Sequence, residues 1–268
     1  MKISVVMQSY LGEYPGSRKH PEFKFTRAVQ SFLSQQHLDR ELIIVADGCD
    51  KTKFLYEQLY SHHPQIKFVY VAKKNEKKTY ETEEKDGKTI KYYRGTPRRI
   101  GCSMVTGDIV TYMDSDDIML PNRLSELAEA WKDKPDDVYW ASNPLRYVHK
   151  AAVMIEDLTK KHFEGTVSID RESELNLRLF GYDIADPFYI NLTFPETLVS
   201  TATYALCHRR NVKAQWEDAV LVMEGKKYIS GGSEDLNFAK SLQTLHGVGF
   251  RQSSAAYVVC HYNKLWDV

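Results

Sequence analysis

The chain has 268 residues, of which 43% are hydrophobic and 27% are charged, a composition typical of a globular protein with a sizeable core. Lys plus Arg and Asp plus Glu each number 36, so the zero net charge gives no support for bulk attraction to nucleic acid. No apolar stretch approaches the roughly 20 residues of a membrane span, and the N-terminus lacks a signal-peptide cleavage site. We therefore expect a cytoplasmic protein, at most attached to a membrane surface.

The first half of the chain alternates short apolar runs with amphipathic segments. The apolar runs predict buried strands at residues 3–7, 41–46, 66–71, 108–113 and 138–141. Helical spacing predicts helices over residues 21–36 and 53–62 and a third that begins after Pro121. This order predicts parallel β-α-β units, and hence a mostly parallel central sheet with helices on both faces.

Polar residues close the predicted strands. Ser9 and Tyr10 follow the first strand, Asp47 follows the second, and the acidic turn 114–117 follows the fourth. Open parallel sheets bind ligands beyond the carboxyl ends of their strands, so these residues are the candidates for a binding site.

Residues 73–97 interrupt the pattern with a highly charged insertion. Asp86 and Gly87 lie between alternating flanks, a pattern that predicts a hairpin. The hairpin is either a solvated surface feature or a flap near the ligand site, because it follows the ligand-facing end of a strand.

The second half is less regular. It predicts a helix over 174–180, a loop over 183–195 that contains two prolines, and strand or strand-turn-strand structure over 197–207. A helix over 233–245 and a closing strand over 255–262 follow. No domain boundary is evident, so we expect the second half to complete the same domain.

The acidic turn gives the strongest chemical signal. Asp114, Asp116 and Asp117 directly follow the strand DIVTYM, and carboxylates so placed repel one another unless a cation compensates. Mg²⁺ and Mn²⁺ prefer oxygen ligands and leave positions open for phosphates, so such a metal would stabilise a departing nucleoside diphosphate. The alternative is an acidic turn that caps the helix after Pro121.

Three further positions each allow a structural and a functional interpretation. Asp47 is either the first residue of an Asp-Gly turn or a ligand of a base or ribose. His261, near the end of the closing strand, is either a structural histidine or a ligand of a metal or phosphate. Arg98 and Arg99 precede a helix predicted around 101–106, and they either contact phosphate or lie in solvent.

Ser233, Glu234 and Asp235 open the helix predicted over 233–245. Ser233 is a candidate N-cap, and the two carboxylates would complement the helix dipole. The functional alternative makes one carboxylate a general base that deprotonates an acceptor hydroxyl.

Taken in order, these segments resemble family 2 of the inverting glycosyltransferases, which have the Rossmann-like GT-A fold. The similar stretches are 3–10 (ISVVMQSY), 28–36, 41–50, 97–124 with its DxD metal motif, 196–212 and 232–242 (GSEDLNFAKSL). The chain departs from the family pattern at Leu11, where Asn is frequent, and at Ala46, where an acidic residue is frequent.

The resemblance implies a single GT-A domain over 1–268, with a nucleotide-sugar donor half over about 1–120, an acceptor half over 121–268 and a smaller acceptor-side sheet region. The implied residue roles are donor binding by Ser9, Tyr10, Asp47, Arg98 and Asp114, metal binding by Asp114, Asp116 and His261, and general-base catalysis by Asp235.

The implied reaction moves a sugar from a nucleoside-diphosphate sugar to an acceptor hydroxyl in one displacement that inverts the anomeric centre. The implied cofactor is Mn²⁺ or Mg²⁺. UDP is the default nucleotide of the donor, with GDP and dTDP as alternatives. The expected acceptor is a glycan, a lipid-linked group or a protein-linked group.

Two other classes of function compete with this one. A sugar nucleotidyltransferase on a similar sheet would need a phosphate-cradling loop near the N-terminus, and SYLGEYPGSRK lacks that spacing. A nucleotide-sugar-binding module without turnover is disfavoured by the complete set of carboxylates.

Overall fold

Three β-sheets and five helices make up the part of the chain that the computed structural model describes, namely residues 1–12, 21–72, 82–142, 145–149, 167–169, 189–193, 205–225, 227–251 and 257–259. The strands are β1 (Ile3–Ser9), β2 (Arg40–Asp47), β3 (Ile66–Val71), β4 (Thr82–Lys85), β5 (Lys88–Tyr93), β6 (Ile109–Asp114), β7 (Ile118–Met119), β8 (Trp140–Ser142), β9 (Leu145–His149), β10 (Val167–Ile169), β11 (Tyr189–Thr193), β12 (Leu206–Arg209), β13 (Ala219–Glu224), β14 (Lys227–Gly231), β15 (Phe250–Arg251) and β16 (Tyr257–Val259). The helices are α1 (Pro21–Leu33), α2 (Asp50–Leu59), α3 (Thr96–Ser103), α4 (Arg123–Trp131) and α5 (Glu234–His246).

The central sheet has seven strands in the order β15-β8-β12-β6-β1-β2-β3. Strands β6, β1, β2 and β3 run parallel, as predicted for strands that are joined through helices. Strand β12 from the second half is inserted antiparallel between β6 and β8. The prediction of a mostly parallel central sheet is therefore confirmed.

Helices cover both faces of this sheet because both faces of its central strands are apolar. In β1, Val5 and Met7 face a core that is shared with α1 and α4. Val6 faces the other way, into a second core that is shared with α5, Val45 and Tyr112. Alternation of side chains along a strand thus supplies two cores, one on each face.

A five-stranded sheet in the order β10-β11-β9-β16-β7 corrects one prediction. Residues 183–195 were expected to form a loop, but Tyr189–Thr193 is a strand that pairs antiparallel with β9 and β10. The prolines on which the expectation rested, Pro187 and Pro195, lie outside the strand and only bound it.

The charged insertion contributes to a four-stranded antiparallel sheet in the order β14-β13-β5-β4. Asp86 and Gly87, with φ of 51° and 72°, form the turn of the predicted β4–β5 hairpin. Two residues with positive φ match the twist of the flanking strands, which is why Asp-Gly is favoured there. The β13–β14 hairpin, which was not predicted, pairs with β5 and anchors the insertion to the second half.

Helix α3 corrects a second prediction. A helix was expected around 101–106, with Arg98 and Arg99 before it, but α3 spans Thr96–Ser103 and contains both arginines. Pro97 in the first helical turn is the signal for this earlier start, because proline lacks only an N–H that has no helical partner there. The helix predicted over 174–180 lies outside the described residues.

The longest described helices, α1 and α5, have 13 residues each. Within the ranges described above, no helix has both the length and the hydrophobicity to cross a bilayer.

Candidate active site

Three neighbouring strands, β1, β2 and β6, end at the same edge of the central sheet. The register pairs Ser9 with Ala46 and Gln8 with Asp114. Asp47, which pairs with Val71 of β3, follows directly. The polar residues that the sequence places at the strand ends therefore lie along one edge of the sheet.

Asp47 is fully buried and lies in an ion pair. Arg94 Nη1 lies 2.7 Å from Asp47 Oδ1, and Gln8 Nε2 donates to Oδ2 over 3.3 Å. The Arg94 side chain, which follows the β4–β5 hairpin, is only 8% exposed. The residue that follows the hairpin thus contacts the residue expected to bind a base or ribose, and no local sequence pattern predicts this contact.

Ser9 and Tyr10 continue this edge of the sheet. The buried Ser9 hydroxyl shares a hydrogen bond of 3.0 Å with Thr52 Oγ1 in α2. Tyr10 is half-buried and packs against the core beneath α1. The Ser9 hydroxyl therefore links the end of β1 to α2.

The acidic turn is held in place by α1. Arg27 Nη2 donates to the backbone carbonyl of Asp116, and the buried Ser31 hydroxyl accepts from the Met119 amide over 3.1 Å. Asp117 is fully buried, whereas Asp114 and Asp116 are half-buried. Asp114 and Asp116 are thus the carboxylates of this turn that remain within reach of a ligand.

Arg98 joins the acidic turn to the start of α5. Its Nη1 donates to Glu234 Oε1 over 2.7 Å, and its Nη2 lies 3.4 Å from Asp114 Oδ1. The Arg98 side chain is 8% exposed and its Cζ lies 5.1 Å from the centre of the Trp216 ring. The family resemblance had implied a donor contact for Arg98, and in the structure its buried guanidinium bridges the carboxylates of both segments.

The start of α5 presents Asp235 beside this contact. Ser233 occupies the N-cap position, as predicted, with extended backbone at φ −81° and ψ 160°. Its hydroxyl does not cap the helix but donates to the Asp235 carboxylate, which also accepts from the Leu236 amide over 2.7 Å. These contacts fix the orientation of the Asp235 carboxylate.

Asp114, Asp116, Glu234 and Asp235 form one group of carboxylates, here termed the acidic cluster. Burial raises the pKa of Asp114 to about 6, with Arg98 opposing the shift and Asp116, Glu234 and Asp235 adding to it. Burial likewise raises the pKa of Glu234, and Asp235 adds to that shift. Because carboxylates from both segments act on Asp114, the end of β6 and the start of α5 face the same space.

The donor chemistry of the acidic cluster fits a hard divalent cation. Asp114 and Asp116 offer carboxylate oxygens, and although burial is the main cause of the raised pKa of Asp114, Asp116, Glu234 and Asp235 add negative charge that a cation would offset. No group of three or more His, Cys, Asp or Glu suited to a metal occurs in the described part of the chain. His261, the third predicted metal ligand, lies outside the described residues.

Sequence reasoning singled out the carboxylates but missed their buried partners. Arg94, Trp216 and Gln8 carry no motif, and Glu234 stood out only because it adjoins Asp235. Local sequence spacing cannot predict a long-range contact such as Arg94–Asp47. It can predict a carboxylate at the end of an apolar strand.

Comparison with protein families supports the resemblance noted in the sequence. Residues 89–212 match the family described as Glycosyl transferase family 2. The chain is also 27% identical over 134 residues to the "Uncharacterized glycosyltransferase alr2836" of Nostoc sp. strain PCC 7120. That alignment covers 49% of this chain and 33% of the relative, so the chain spans about a third of the curated protein it matches.

Solved structures of similar architecture include two of TarS from S. aureus. One, in complex with UDP-GlcNAc, has a TM-score of 0.52 at 14% identity, covering 97% of this chain and 58% of the TarS chain. The other has a TM-score of 0.53 at 15% identity, covering 97% of this chain and 36% of the TarS chain. The shared architecture is that of the GT-A fold.

Proposed function

We propose that this chain, which carries a family 2 glycosyltransferase domain of GT-A fold, transfers a sugar from a nucleoside-diphosphate sugar to an acceptor hydroxyl. In this proposal the reaction requires Mn²⁺ or Mg²⁺, inverts the anomeric centre, and uses Asp235 as general base. UDP is the proposed nucleotide of the donor, and the TarS structure in complex with UDP-GlcNAc supports this choice. The acceptor class, a glycan, lipid-linked or protein-linked hydroxyl, stays a proposal.

The observation that carries the proposal is the contact of one guanidinium with both acidic segments. Arg98 lies 2.7 Å from Glu234 and 3.4 Å from Asp114, so the strand end and the helix start bound one space. In-line displacement needs a leaving-group site and a base on opposite sides of one sugar. The acidic cluster offers candidates for both.

The nucleotide would bind along the ends of β1 and β2. Asp47 is proposed to accept a hydrogen bond from the base or ribose, with Ser9 and Tyr10 lining the pocket. Arg94 supports this role because its guanidinium, 2.7 Å from Asp47 Oδ1, holds the carboxylate in one orientation. Since Asp47 is fully buried beside Arg94, donor binding is expected to shift Arg94 or to engage it together with Asp47.

The diphosphate would lie near the acidic turn. Asp114 and Asp116 would hold Mn²⁺ or Mg²⁺ together with phosphate oxygens, and the metal, when bound, would neutralise charge on the departing diphosphate. The buried Arg98 guanidinium contacts Asp114, so its proposed contribution to donor binding is to orient that carboxylate and to balance its charge. The proposed role of His261 in metal binding rests on the family resemblance alone.

Asp235 would take the proton of the acceptor hydroxyl as the hydroxyl oxygen attacks the anomeric carbon. The new C–O bond forms as the bond to the diphosphate breaks, so the electron pair leaves with the nucleoside diphosphate and no covalent sugar-enzyme intermediate forms. Ser233 and the Leu236 amide orient the Asp235 carboxylate, which limits the geometries from which it can accept this proton.

Calorimetry with UDP-, GDP- and dTDP-sugars, each with and without Mn²⁺, tests the donor part of the proposal. We expect metal-dependent binding of at least one of them and release of the matching nucleoside diphosphate during turnover. Release of pyrophosphate from a nucleoside triphosphate would instead indicate a nucleotidyltransferase, and binding of no nucleotide sugar would contradict the proposal.

The variant Asp235→Asn tests the general base. Loss of the base is expected to lower the transfer rate by at least about 100-fold while donor affinity stays within about threefold. Glu224→Gln, an exposed carboxylate on β13, is the matched control and should transfer at the wild-type rate. Substantial transfer by Asp235→Asn would remove Asp235 from its role.

A further inference from the structure

We propose that Trp216 is a positioning residue for the acidic cluster, acting through the guanidinium that it supports. Its ring holds Arg98, which in turn sets the distance between Asp114 on β6 and Glu234 on α5. The inference rests on the proposed function, because the positioned carboxylates adjoin the proposed metal site and general base. Neither a motif nor the family resemblance had singled out Trp216.

Trp216 is fixed from several directions. The side chain is 1% exposed, and its ring stacks on Phe238 of α5 with centroids 4.2 Å apart and planes 16° apart. The Arg98 Cζ lies 5.1 Å from the ring centre, a distance at which a guanidinium is attracted to an aromatic face. One indole therefore contacts both the positioned arginine and the helix that carries Asp235.

A buried hydrogen-bonded chain fixes the orientation of the indole. Trp216 Nε1 donates to Tyr112 Oη over 2.8 Å, and Tyr112 Oη lies 2.5 Å from His208 Nε2. His208 Nδ1 lies 2.8 Å from the Arg209 carbonyl, which can only accept. Nδ1 of the neutral ring must therefore carry the proton, so Nε2 accepts from Tyr112, and every donor in the chain has an acceptor.

The orientation of the Arg98 guanidinium determines both of its contacts with the acidic cluster. Its two terminal nitrogens face different carboxylates, so a rotation or slide of the guanidinium changes both contacts at once. Because Glu234 directly precedes the proposed base Asp235, a shift of Glu234 would also displace Asp235. A displacement near 1 Å at a reacting group can lower a rate by about 100-fold. Supporting Arg98 is thus a way to keep Asp114 and Asp235 in a productive arrangement.

A purely structural role for Trp216 predicts a different outcome. A core residue that only fills space lowers stability when it is truncated, and it leaves the rate per folded molecule unchanged. A positioning residue lowers the turnover number more than it weakens donor binding, because the proposed contacts to the base and ribose lie elsewhere and only the Asp114 side of the diphosphate site is disturbed.

The chain offers a matched control in Trp131. This indole is 2% exposed, lies in the core on the opposite face of the sheet, and also lies near a guanidinium, with the Arg209 Cζ 5.6 Å from its ring centre. It makes no contact with the acidic cluster in the described structure. Trp131→Leu therefore reproduces the loss of volume and of an arginine contact at a distance from the proposed reaction.

The experiment compares kcat and donor KM for Trp216→Leu, Trp216→Phe and Trp131→Leu, with folded fractions from circular dichroism. We expect kcat of Trp216→Leu to fall by about 30-fold or more, whereas donor KM should rise by less than about tenfold through the displaced Asp114. Trp216→Phe, which keeps an aromatic face, should stay within about fivefold of wild type, and Trp131→Leu within about threefold. Equal losses for both leucine variants, or for both Trp216 variants, would overturn the proposal.

A double-mutant cycle keeps the test decisive if Trp216→Leu does not fold. Arg98→Lys retains the charge and removes the fork, so the loss of rate caused by Trp216→Phe, up to about fivefold in the wild-type background, should fall below about twofold in the Arg98→Lys background. Additive losses would show that Trp216 acts independently of Arg98 and would contradict the inference. A wild-type protein with no transfer activity contradicts the proposed function, whereas an active wild type with unaffected Trp216 variants contradicts only the positioning role.

Discussion

The ion pair between Arg94 and Asp47 is buried on both sides, with side chains 8% and 0% exposed. Removing the guanidinium leaves a carboxylate without that partner inside the protein, which in comparable pairs costs about 3–5 kcal/mol. We predict that Arg94→Met lowers the free energy of unfolding by about that amount, as measured by urea denaturation at pH 7.

Two comparisons separate this effect from a general loss of an arginine. Arg99→Met changes an exposed arginine in α3 and should shift stability by less than about 0.5 kcal/mol. Adding Asp47→Asn to Arg94→Met should restore part of the loss, because the buried charge is removed with its partner. A double variant less stable than Arg94→Met alone would contradict the assignment of the loss to an uncompensated charge.

The raised pKa of Asp114, about 6, predicts how metal binding depends on pH. Below pH 6 a proton occupies the carboxyl that a cation would bind, and above pH 6 the carboxylate is free of that competition. Affinity for Mn²⁺ in the presence of UDP should fall by about tenfold per pH unit below 6. Calorimetry at pH 5 and pH 7.5 measures this, and equal affinities at both pH values would contradict it.

Sequence reasoning identified the carboxylates of the site more readily than the residues that hold them. Asp114 and Asp116 follow an apolar strand, and Asp235 lies in the first turn of an amphipathic helix, so local patterns place them. Arg94 and Trp216 act across long sequence separations, and their roles depend on burial and ring geometry. Local periodicity contains no information about either.

At the scale of elements, α3 packs against the central sheet at its one interior glycine. A Cβ on Gly101 would lie 2.6 Å from Val6 Cγ1 and 2.8 Å from Val45 Cγ2, closer than two carbons can approach. Valine side chains are stiff at χ1, so α3 itself would have to shift. We predict that Gly101→Ala lowers the free energy of unfolding by about 1–3 kcal/mol despite the better helix propensity of alanine.

Chemical denaturation of Gly101→Ala beside Ser103→Ala tests this packing. Ser103 is exposed in the last turn of the same helix, so its replacement should change stability by less than about 0.5 kcal/mol. A Gly101→Ala variant at least as stable as wild type would contradict the close packing. The rate of transfer also reports a shift of α3, because this helix carries Arg98.

Strands β1, β2 and β6 could be predicted because each contains an apolar run closed by a polar residue. β3 was predicted with its observed bounds, and the Asp86-Gly87 turn was predicted from two residues. The β13–β14 hairpin was not predicted, although the five apolar residues of β13 are closed by Glu224 in the same way. The pairing of β13 with β5 leaves no local pattern, because β5 lies far away in sequence.

At the scale of the whole molecule, buried His208 makes stability depend on pH. Burial lowers the pKa of His208 from its ordinary 6.5 to about 4, so the unfolded chain takes up this proton at a higher pH than the folded one. The stability is therefore complete above pH 6.5 and is lost as the pH falls from 6.5 towards 4. From the linkage relation the loss is on the order of 3 kcal/mol.

Urea denaturation between pH 4 and pH 8 measures this loss, and two histidine variants identify its source. His208→Gln is expected to be less stable at pH 7 but to show a flatter dependence on pH below 6.5, because the titrating group is gone. His62→Gln, an exposed histidine, should keep the wild-type dependence. Identical slopes for wild type and His208→Gln would contradict the assignment.

Only those features of the overall topology that depend on neighbouring elements in the chain could be predicted from the sequence. Parallel β-α-β units in the first half predicted the shared direction of its central strands but not their order, because β6 lies beside β1 although it is distant from β1 in the chain. Strand β12 lies between β6 and β8 and runs antiparallel to both. No local sequence pattern predicts this position or this direction.

The antiparallel sheet of the insertion has a consequence for protein engineering. β5 runs through Arg94 into α3, and β14, joined to β5 through β13, runs through Gly231 into α5. Gly231 has φ of 91°, and a Cβ there would collide with the Val220 carbonyl, so this junction accepts no other residue without rearrangement. A chimera that exchanges the hairpin between related enzymes must therefore transplant Thr82–Arg94 together with 219–231 as one module.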